Sequence, residues 1–177
     1  MKQIVQQENK VLHIRAEEVS IADIESAKIK KIIKEMKESL LSQNDGVAIA
    51  APQIGHSVRI FVVSGRIFDE RFKRGVGIPD NEPALKPDMV FINPTFVKLS
   101  KKKKFLPEGC LSVRWLYGNV QRSTNATVTA YDEYGNKFTK VASGLLAQIF
   151  QHETDHLDGI LFIEKAKDVE EHKPEEK

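Results

Sequence analysis

A segment near the carboxyl end of the chain, Gly144 to Leu157, constrains the fold more than any other part of the sequence. Its apolar and imidazole side chains recur at steps of four, three and four residues, the spacing of one helix face, and Gly159 ends the pattern. The residues at these steps are Leu145, Ile149, His152 and His156. With Glu153 the histidines form the pattern His-Glu-x-x-His, in which two imidazoles one turn apart reach one Zn²⁺-like ion and the glutamate accepts a proton from water. The sequence therefore predicts a helix with a metal-binding face. The alternative is an amphipathic helix whose histidines are ordinary core or surface residues.

The length and composition indicate one globular domain. With 177 residues the chain has room for one core of ordinary size. A hydrophobic content of 41% argues against disorder, and a net charge of +2 argues against nucleic-acid binding through bulk basic charge. No apolar run approaches the roughly 20 residues that span a bilayer, and the first residues lack a secretory signal pattern. We therefore expect a cytoplasmic protein that binds neither a membrane nor a specific nucleic acid.

The remaining hydrophobic patterns predict one more helix and several strands. Apolar residues near the helical period predict an amphipathic helix from Ser20 to Leu41, with Ser20 as its cap. Short runs of β-branched and aromatic residues predict strands at Val58–Val63, Met89–Asn93, Thr95–Leu99, Ala126–Tyr131 and Lys137–Val141. The segment Ser64 to Asp88 has little periodicity and predicts a long loop. The charged segment after Phe162 predicts a solvated helix end and a frayed tail.

A catalytic metal site of this kind needs a third protein ligand and keeps one position open for water or substrate. In the extended metalloprotease pattern a third histidine would stand at position 162, where this chain has Phe162. Glu170 and Glu171 lie in the charged tail. The remaining soft ligand is Cys110, the single cysteine of the chain. A thiolate with two imidazoles suits Zn²⁺ or Fe²⁺. Spacing alone leaves open whether Cys110 instead packs as a small buried hydrophobe.

Three separated stretches together resemble the motifs of the peptide deformylase family. They are Gly46-Val47-Ala48-Ile49-Ala50-Ala51-Pro52-Gln53-Ile54-Gly55, Glu108-Gly109-Cys110-Leu111-Ser112-Val113 and Gln151-His152-Glu153-Thr154-Asp155-His156-Leu157-Asp158-Gly159. Their order, their intervals and the closing Leu161-Phe162 match as well, so the resemblance covers roughly Ile21 to Ile163. Each motif alone would be weak evidence, but their joint occurrence by chance is negligible.

The resemblance implies the fold and the domain organisation. It implies a single α+β domain in which small antiparallel β-sheets pack around a central helix that carries the His-Glu-x-x-His motif. The catalytic domain would occupy residues 1–163, and residues 164–177 would form a charged carboxyl-terminal tail. This tail lacks a clearly basic amphipathic helix, so the ribosome docking of some relatives through that region is not expected to carry over.

The resemblance also implies the cofactor. By similarity, Cys110, His152 and His156 hold one divalent metal ion, which would be Fe²⁺ in the cell and replaceable by Zn²⁺, Ni²⁺ or Co²⁺. A site with one thiolate and an open position accepts several divalent ions, which agrees with such a labile choice.

The reaction implied is removal of the formyl group from the formyl-methionine that starts a newly synthesised polypeptide, with release of formate. Glu153 would take a proton from the attacking water and later give it to the leaving amine. Gln53, together with the backbone N–H of Leu111, would hold the developing oxyanion. From the residues alone, Gln53 would be an ordinary loop glutamine that bonds to the local backbone.

Substrate binding is implied at two places. The peptide backbone would pair with Val47, Ala48 and Gly109 like an added strand. The methionine side chain would enter an apolar pocket lined by the first motif, which begins at Gly46, and by the histidine helix. On that helix the candidates are Leu145 and Ile149, whose alternative role is core packing.

The implied partners are N-formyl-methionyl nascent peptides and, near the exit tunnel, the ribosome. The one local excess of charge, Lys101 to Lys104 with Lys98, could touch ribosomal RNA there. Such a run is more often a solvated turn between strands, and we favour that interpretation.

The sequence departs from the family pattern at three places. Ala48 stands where the family usually has glycine, so a methyl group could narrow the channel or restrict the backbone. Arg114-Trp115 follows Val113 where Pro-Gly is common, and Gln121-Arg122 stands where Pro-Arg is frequent.

Two other functions stay open beside deformylation. One is a metalloprotease, which would cleave ordinary peptide bonds. The other is a noncatalytic, deformylase-like protein with a structural metal site, which would be closed by a fourth protein ligand and would not need Glu153.

Overall fold

Helix α3, Gly144–Leu157, packs its apolar face against a β-sheet. We describe the fold from a computed structural model, which describes residues 2–73 and 86–173. Phe150 of α3 is fully buried and meets the edge of the Phe91 ring at a centroid distance of 5.0 Å. Phe61 stacks on Phe91 at 4.6 Å, so three aromatic rings join the helix to the sheet. Each such ring contributes about 1.5–3 kcal/mol by leaving water.

The sheet beneath α3 has five strands in the order β1-β2-β3-β6-β7, and every pairing is antiparallel. The strands are β1 (Ala48–Ala50), β2 (Ile60–Val63), β3 (Met89–Leu99), β6 (Asn125–Tyr131) and β7 (Lys137–Ser143). The two predicted strands on either side of Pro94 are one strand, β3. The ladder with β6 shifts its register between Ile92 and Thr95, and such an irregularity accommodates a proline that cannot donate a hydrogen bond.

A second sheet has three antiparallel strands in the order β4-β5-β8. They are β4 (Lys103–Cys110), β5 (Val113–Ser123) and β8 (Lys167–Glu171). Strand β8 corrects the prediction of a helix end and frayed tail after Phe162, because Leu116 and Tyr117 of β5 pair with Glu171 and Glu170. All five side chains of β8 are exposed, so no alternation of apolar and polar residues announces this edge strand. The predicted boundary at residue 163 stays a prediction.

Helix α1, Ala27–Leu41, covers the other face of the five-stranded sheet with a row of buried isoleucines and Met36. Its cap is Ser26, six residues after the predicted cap Ser20, and the Ser26 hydroxyl accepts a hydrogen bond from the N–H of Ile29 at 3.3 Å. Ser20 makes no capping bond and precedes a separate 3₁₀ turn, Ile21–Asp23.

The predicted loop Ser64 to Asp88 contains a 3₁₀ helix, Gly65–Phe68, and the short helix α2, Glu70–Lys73. Residues 74–85 of that prediction lie outside the described residues. Within the described ranges, no helix has the length and apolarity needed to cross a membrane. The α+β class with antiparallel sheets agrees with the prediction.

Candidate active site

Three side chains that can bind a metal converge where β4 ends against α3. Cys110 is the last residue of β4, and His152 and His156 lie one turn apart on α3. One ligand atom from each lies within 4.8 Å of the others, and the Cys110 Sγ is 3.1 Å from the Nε2 of His156. The two imidazole centroids are 5.0 Å apart. This spacing lets one ion contact all three groups.

A buried glutamine fixes α3 against the second sheet. The Oε1 of Gln151 accepts from the N–H of Ser123 at 2.9 Å, and its Nε2 donates to the Ser123 carbonyl at 3.0 Å. Because Ser123 ends β5, which forms a hairpin with β4, this pair of bonds fixes the position of the histidines relative to Cys110.

Glu153 lies beside the ligand group in a place that water does not reach freely. Its side chain is 4% exposed, and within the described residues its Oε2 has no hydrogen-bond partner. Burial raises the pKa of Glu153 to about 7, although the charges of His152 and His156 oppose the shift. A carboxylate with that pKa can take and return a proton near neutral pH.

The donor set fits a divalent metal ion. Burial disfavours the thiolate of Cys110, but the two histidines outweigh it and lower the pKa of the thiol to about 5. The pKa of His152 is raised in turn by Cys110 and Glu108 against the effect of burial. A thiolate flanked by two imidazoles has the charge and softness that Zn²⁺ and Fe²⁺ prefer. The orphaned Oε2 of Glu153 leaves an acceptor for a water or substrate beside that site.

A buried ion pair that the sequence patterns do not predict lies next to His152. Glu108 receives two hydrogen bonds from Arg122, at 2.7 and 2.9 Å, and its Oε2 lies 2.9 Å from the Nδ1 of His152. Arg122 also donates to Asp155 at 2.6 Å. Burial opposes ionisation of Glu108, yet these partners hold its pKa at about 2. Metal-binding histidines commonly pair their second nitrogen with a carboxylate, which is the signal that could have singled out Glu108.

Replacing Glu108 by glutamine is expected to weaken metal binding by about 10–100-fold, because the neutral amide no longer holds the imidazole of His152 electrostatically. The measurement is a Zn²⁺ titration in competition with a chelator of known affinity. Glu133→Gln is the matched control, since Glu133 pairs with Lys37 at 2.9 Å outside the cavity. Equal Zn²⁺ affinities for the Glu108 variant and the parent would contradict this role.

Gln53 lies in a short 3₁₀ helix after β1 and is 2% exposed. Its Oε1 accepts from the N–H of Ala50 at 2.8 Å. Its Nε2 points toward the metal-binding group, donating to the Ser112 hydroxyl at 3.2 Å and lying 3.5 Å from the Cys110 Sγ. The amide is therefore held in one orientation by its neighbours, with its donor end next to Cys110.

All of the predicted site residues except His156 line one cavity of about 320 Å³. His156 lies beneath it, 1% exposed. Ala48 lies in the extended strand β1, a backbone conformation that any residue adopts, and it lines the cavity. Gly109 is paired with Tyr117, and a Cβ on Gly109 would come within 2.6 Å of that ring. A side chain at position 109 would therefore force the Tyr117 ring to shift.

Comparisons with known proteins identify the family. A sequence model for polypeptide deformylase matches residues 1–172. The chain belongs to the peptide deformylase family. The family prediction is thereby confirmed.

Among curated deformylases, peptide deformylase 1A, chloroplastic/mitochondrial, of Arabidopsis thaliana is 38% identical over 171 residues and matches 93% of this chain. The chain spans 61% of that relative's length, which is less than two thirds. The peptide deformylase of Desulforudis audaxviator is 35% identical over 170 residues, with 94% of each chain covered.

Solved deformylases share the fold. A class I type b peptide deformylase from Acinetobacter baumannii, described as Met-Ala-Ser bound, matches with a TM-score of 0.78 and 31% identity, covering 93% of this chain and 98% of that one. The predicted α+β fold of the family is therefore confirmed.

Proposed function

We propose that this chain is a metal-dependent hydrolase that removes the N-formyl group from the formyl-methionine of newly synthesised polypeptides and releases formate. The observation that carries the proposal is the meeting of Cys110, His152 and His156 at the base of one cavity, beside buried Glu153, in a chain of the deformylase family. The Acinetobacter structure named for bound Met-Ala-Ser adds support, because a peptide that begins with free methionine is the product of this reaction.

We propose that Cys110, His152 and His156 hold one divalent metal ion, Fe²⁺ in the cell, with Zn²⁺, Ni²⁺ or Co²⁺ as replacements. When bound, such an ion lowers the pKa of water and polarises a carbonyl. A site of one thiolate and two imidazoles would leave a fourth position for water or substrate, and the cavity beside Cys110 and His152 is where the formyl group would enter.

The proton transfers are assigned to Glu153. Its carboxylate takes a proton as the water oxygen forms a bond to the formyl carbon, and it gives that proton to the amine nitrogen as the C–N bond breaks. The products are formate and a free amino terminus. The Nε2 of Gln53 and the N–H of Leu111 would donate to the oxyanion that develops in between, each worth about 3 kcal/mol in comparable sites.

The peptide would lie along the edge formed by Gly46, Val47 and Ala48, with Gly109 on the opposite wall. Main-chain hydrogen bonds of an added strand recognise no particular side chain, so specificity must come from the first residue. The methionine side chain would contact Leu145, which is 44% exposed at the cavity, and Ile149 behind it.

Replacing Leu145 by alanine is expected to lower kcat/KM for formyl-Met-Ala-Ser by about 5–10-fold and to change kcat/KM for formyl-Gly-Ala-Ser less than twofold, because only methionine uses the lost apolar contact. Leu99→Ala is the control, since Leu99 is equally exposed, at 42%, and lies outside the cavity. A loss of the same size on both substrates would argue against a methionine pocket at Leu145.

The metalloprotease and the structural metal site remain the rival functions. Within the described residues the group that can hold a metal contains three residues, and a structural site would be closed by a fourth. A direct test offers the metal-loaded protein formyl-Met-Ala-Ser, acetyl-Met-Ala-Ser and a longer unblocked peptide. We expect formate and Met-Ala-Ser from the first and no reaction with the others. Fragments of the longer peptide would favour the protease, and no reaction at all would favour the noncatalytic protein.

The proposal extends to domain limits and cellular setting. We propose residues 1–163 as the catalytic domain, with 164–177 as a charged extension, and the cytoplasm as the compartment. Contact with the ribosome near the exit tunnel would be a brief encounter. The exposed lysines 101–104 lie at and after the turn between β3 and β4, and we interpret them as a solvated turn. No specific recognition of a nucleic acid or a membrane is part of the proposal.

A further inference from the structure

Arg114 joins the two walls of the cavity. It lies two residues beyond the turn that carries Leu111 and Ser112, at the start of β5. Its Nη1 donates to the Oδ2 of Asp45 at 2.7 Å, and its Nη2 donates to the Oε1 of Gln43 at 2.7 Å. Asp45 directly precedes the Gly46–Ala48 edge. The guanidinium therefore spans from the wall that carries Cys110 to the wall that would pair with the peptide.

Both ends of this connection are themselves held in place. The carbonyl of Gln43 accepts a hydrogen bond from Arg66 at 3.1 Å, so the loop before Gly46 is tied to the 3₁₀ helix after β2. On the other wall, the Nε2 of Gln6 donates to the Leu111 carbonyl at 3.1 Å. The guanidinium of Arg114 also lies 4.9 Å from the centre of the Trp115 ring. The connection is thus made between two anchored segments, and it can fix their separation.

The position of the Arg114–Asp45 ion pair would bring it close to the peptide residues that follow formyl-methionine. Along the chain, Ala48 is the residue of this edge that leads into Ala50 and Gln53, whereas Asp45 precedes its other end, and all but Ala50 line the cavity. A peptide whose formyl group reaches Cys110 would pass Asp45 with its second and third residues. The Arg114 side chain is 21% exposed and Asp45 is 56% exposed, so a fork of two charge-assisted hydrogen bonds is only partly screened by water.

We propose that Arg114 is a positioning residue that holds the cavity walls at a fixed separation and so determines how tightly the peptide residues after formyl-methionine bind. The inference rests on the proposed function. It also gives a role to Arg114, one of the places where this sequence departs from the family pattern. It predicts a rise in KM that grows with the length of the substrate, since formyl-methionine itself would lie at the Cys110 end of the cavity, away from Asp45.

The test compares formyl-Met-Ala-Ser with formyl-methionine amide, using Arg114→Ala at a metal content equal to that of the parent. We expect KM for the tripeptide to rise about fivefold with kcat within twofold, and both constants for the amide to stay within twofold. KM of Arg114→Lys for the tripeptide should lie between the values of the parent and of Arg114→Ala, because one ammonium cannot hold Asp45 and Gln43 in a planar fork. Lys37→Ala, which breaks the Lys37–Glu133 pair outside the cavity, should leave both substrates unchanged.

A double-mutant cycle identifies the partner. Asp45→Ala should give the same length-dependent rise in KM, and adding it to Arg114→Ala should cause little further change. Equal losses on both substrates, no loss on either, or fully additive effects would overturn the role of Arg114. A metal-loaded parent that deformylates neither substrate would instead overturn the proposed function, so the two failures are distinguishable.

Discussion

Replacing Glu153 by glutamine is expected to lower kcat for release of formate by about 10²–10⁴-fold while the protein still binds one metal ion per chain. Glutamine has the size and shape of glutamate, so the packing of this 4% exposed side chain is preserved. The amide cannot accept the proton that must leave the attacking water or return it to the amine. The loss should therefore fall on kcat, with KM nearly unchanged.

The measurement is steady-state formate release with formyl-Met-Ala-Ser, with the metal content of each preparation determined by mass spectrometry. Glu133→Gln serves as the matched control, because it makes the same change at a carboxylate that pairs with Lys37 at 2.9 Å outside the cavity. If the Glu153 variant has a kcat within tenfold of the parent at equal metal content, the assignment of Glu153 as the proton acceptor and donor is contradicted.

Replacing Cys110 by alanine is expected to weaken metal binding by at least about 10²-fold and to reduce formate release to background. The change removes the thiolate of a site whose other ligands are two imidazoles, and with it the only anionic ligand of that group. His152 and His156 should remain in place, since α3 is held to β5 by Gln151.

Two measurements check this expectation. One is the Zn²⁺ titration described for Glu108. The other uses the fact that Cys110 is the only cysteine of the chain, so reaction with a thiol reagent reports on it alone. Saturating Zn²⁺ should protect the parent from that reagent. Zn²⁺ affinity unchanged in Cys110→Ala, or a thiol that reacts equally fast with and without Zn²⁺, would contradict the assignment of Cys110 as a ligand.

The central helix could be predicted from the sequence because its signals are local. The steps from Leu145 to His156 and the glycine at 159 predict a helix with its bounds, and α3 has the bounds that were predicted. The cap of α1 was misplaced because Ser20 and Ser26 are both suitable residues. Only the Ser26 hydroxyl bonds to the helix, because Ile21–Asp23 after Ser20 form a separate 3₁₀ turn.

Contacts between distant segments could not be predicted in the same way. The ion pair of Glu108 with Arg122 depends on the register of the β4–β5 hairpin, in which Glu108 lies opposite Gly118. Neither strand was predicted, because the lysine-rich start of β4 has no period-2 pattern. Strand β8 was missed because an edge strand with exposed side chains on both faces carries no hydrophobic signal.

The site residues were predicted by two routes. The His-Glu-x-x-His spacing alone pointed to the metal and to Glu153, whereas Gln53, Leu111 and the pocket residues came from the resemblance to the family. The geometry brings Gln53 to 3.5 Å from the Cys110 Sγ across a sequence separation that no periodicity encodes. Arg114 was flagged only as a departure from the family, and its contacts with Asp45 and Gln43 required the folded structure.

The most direct test of the central claim is formate release from formyl-Met-Ala-Ser by the parent protein loaded anaerobically with Fe²⁺. The account predicts repeated turnover, with formate and free Met-Ala-Ser formed in equal amounts and both lost when a chelator removes the metal. A preparation that contains one Fe²⁺ per chain and releases no formate would contradict it.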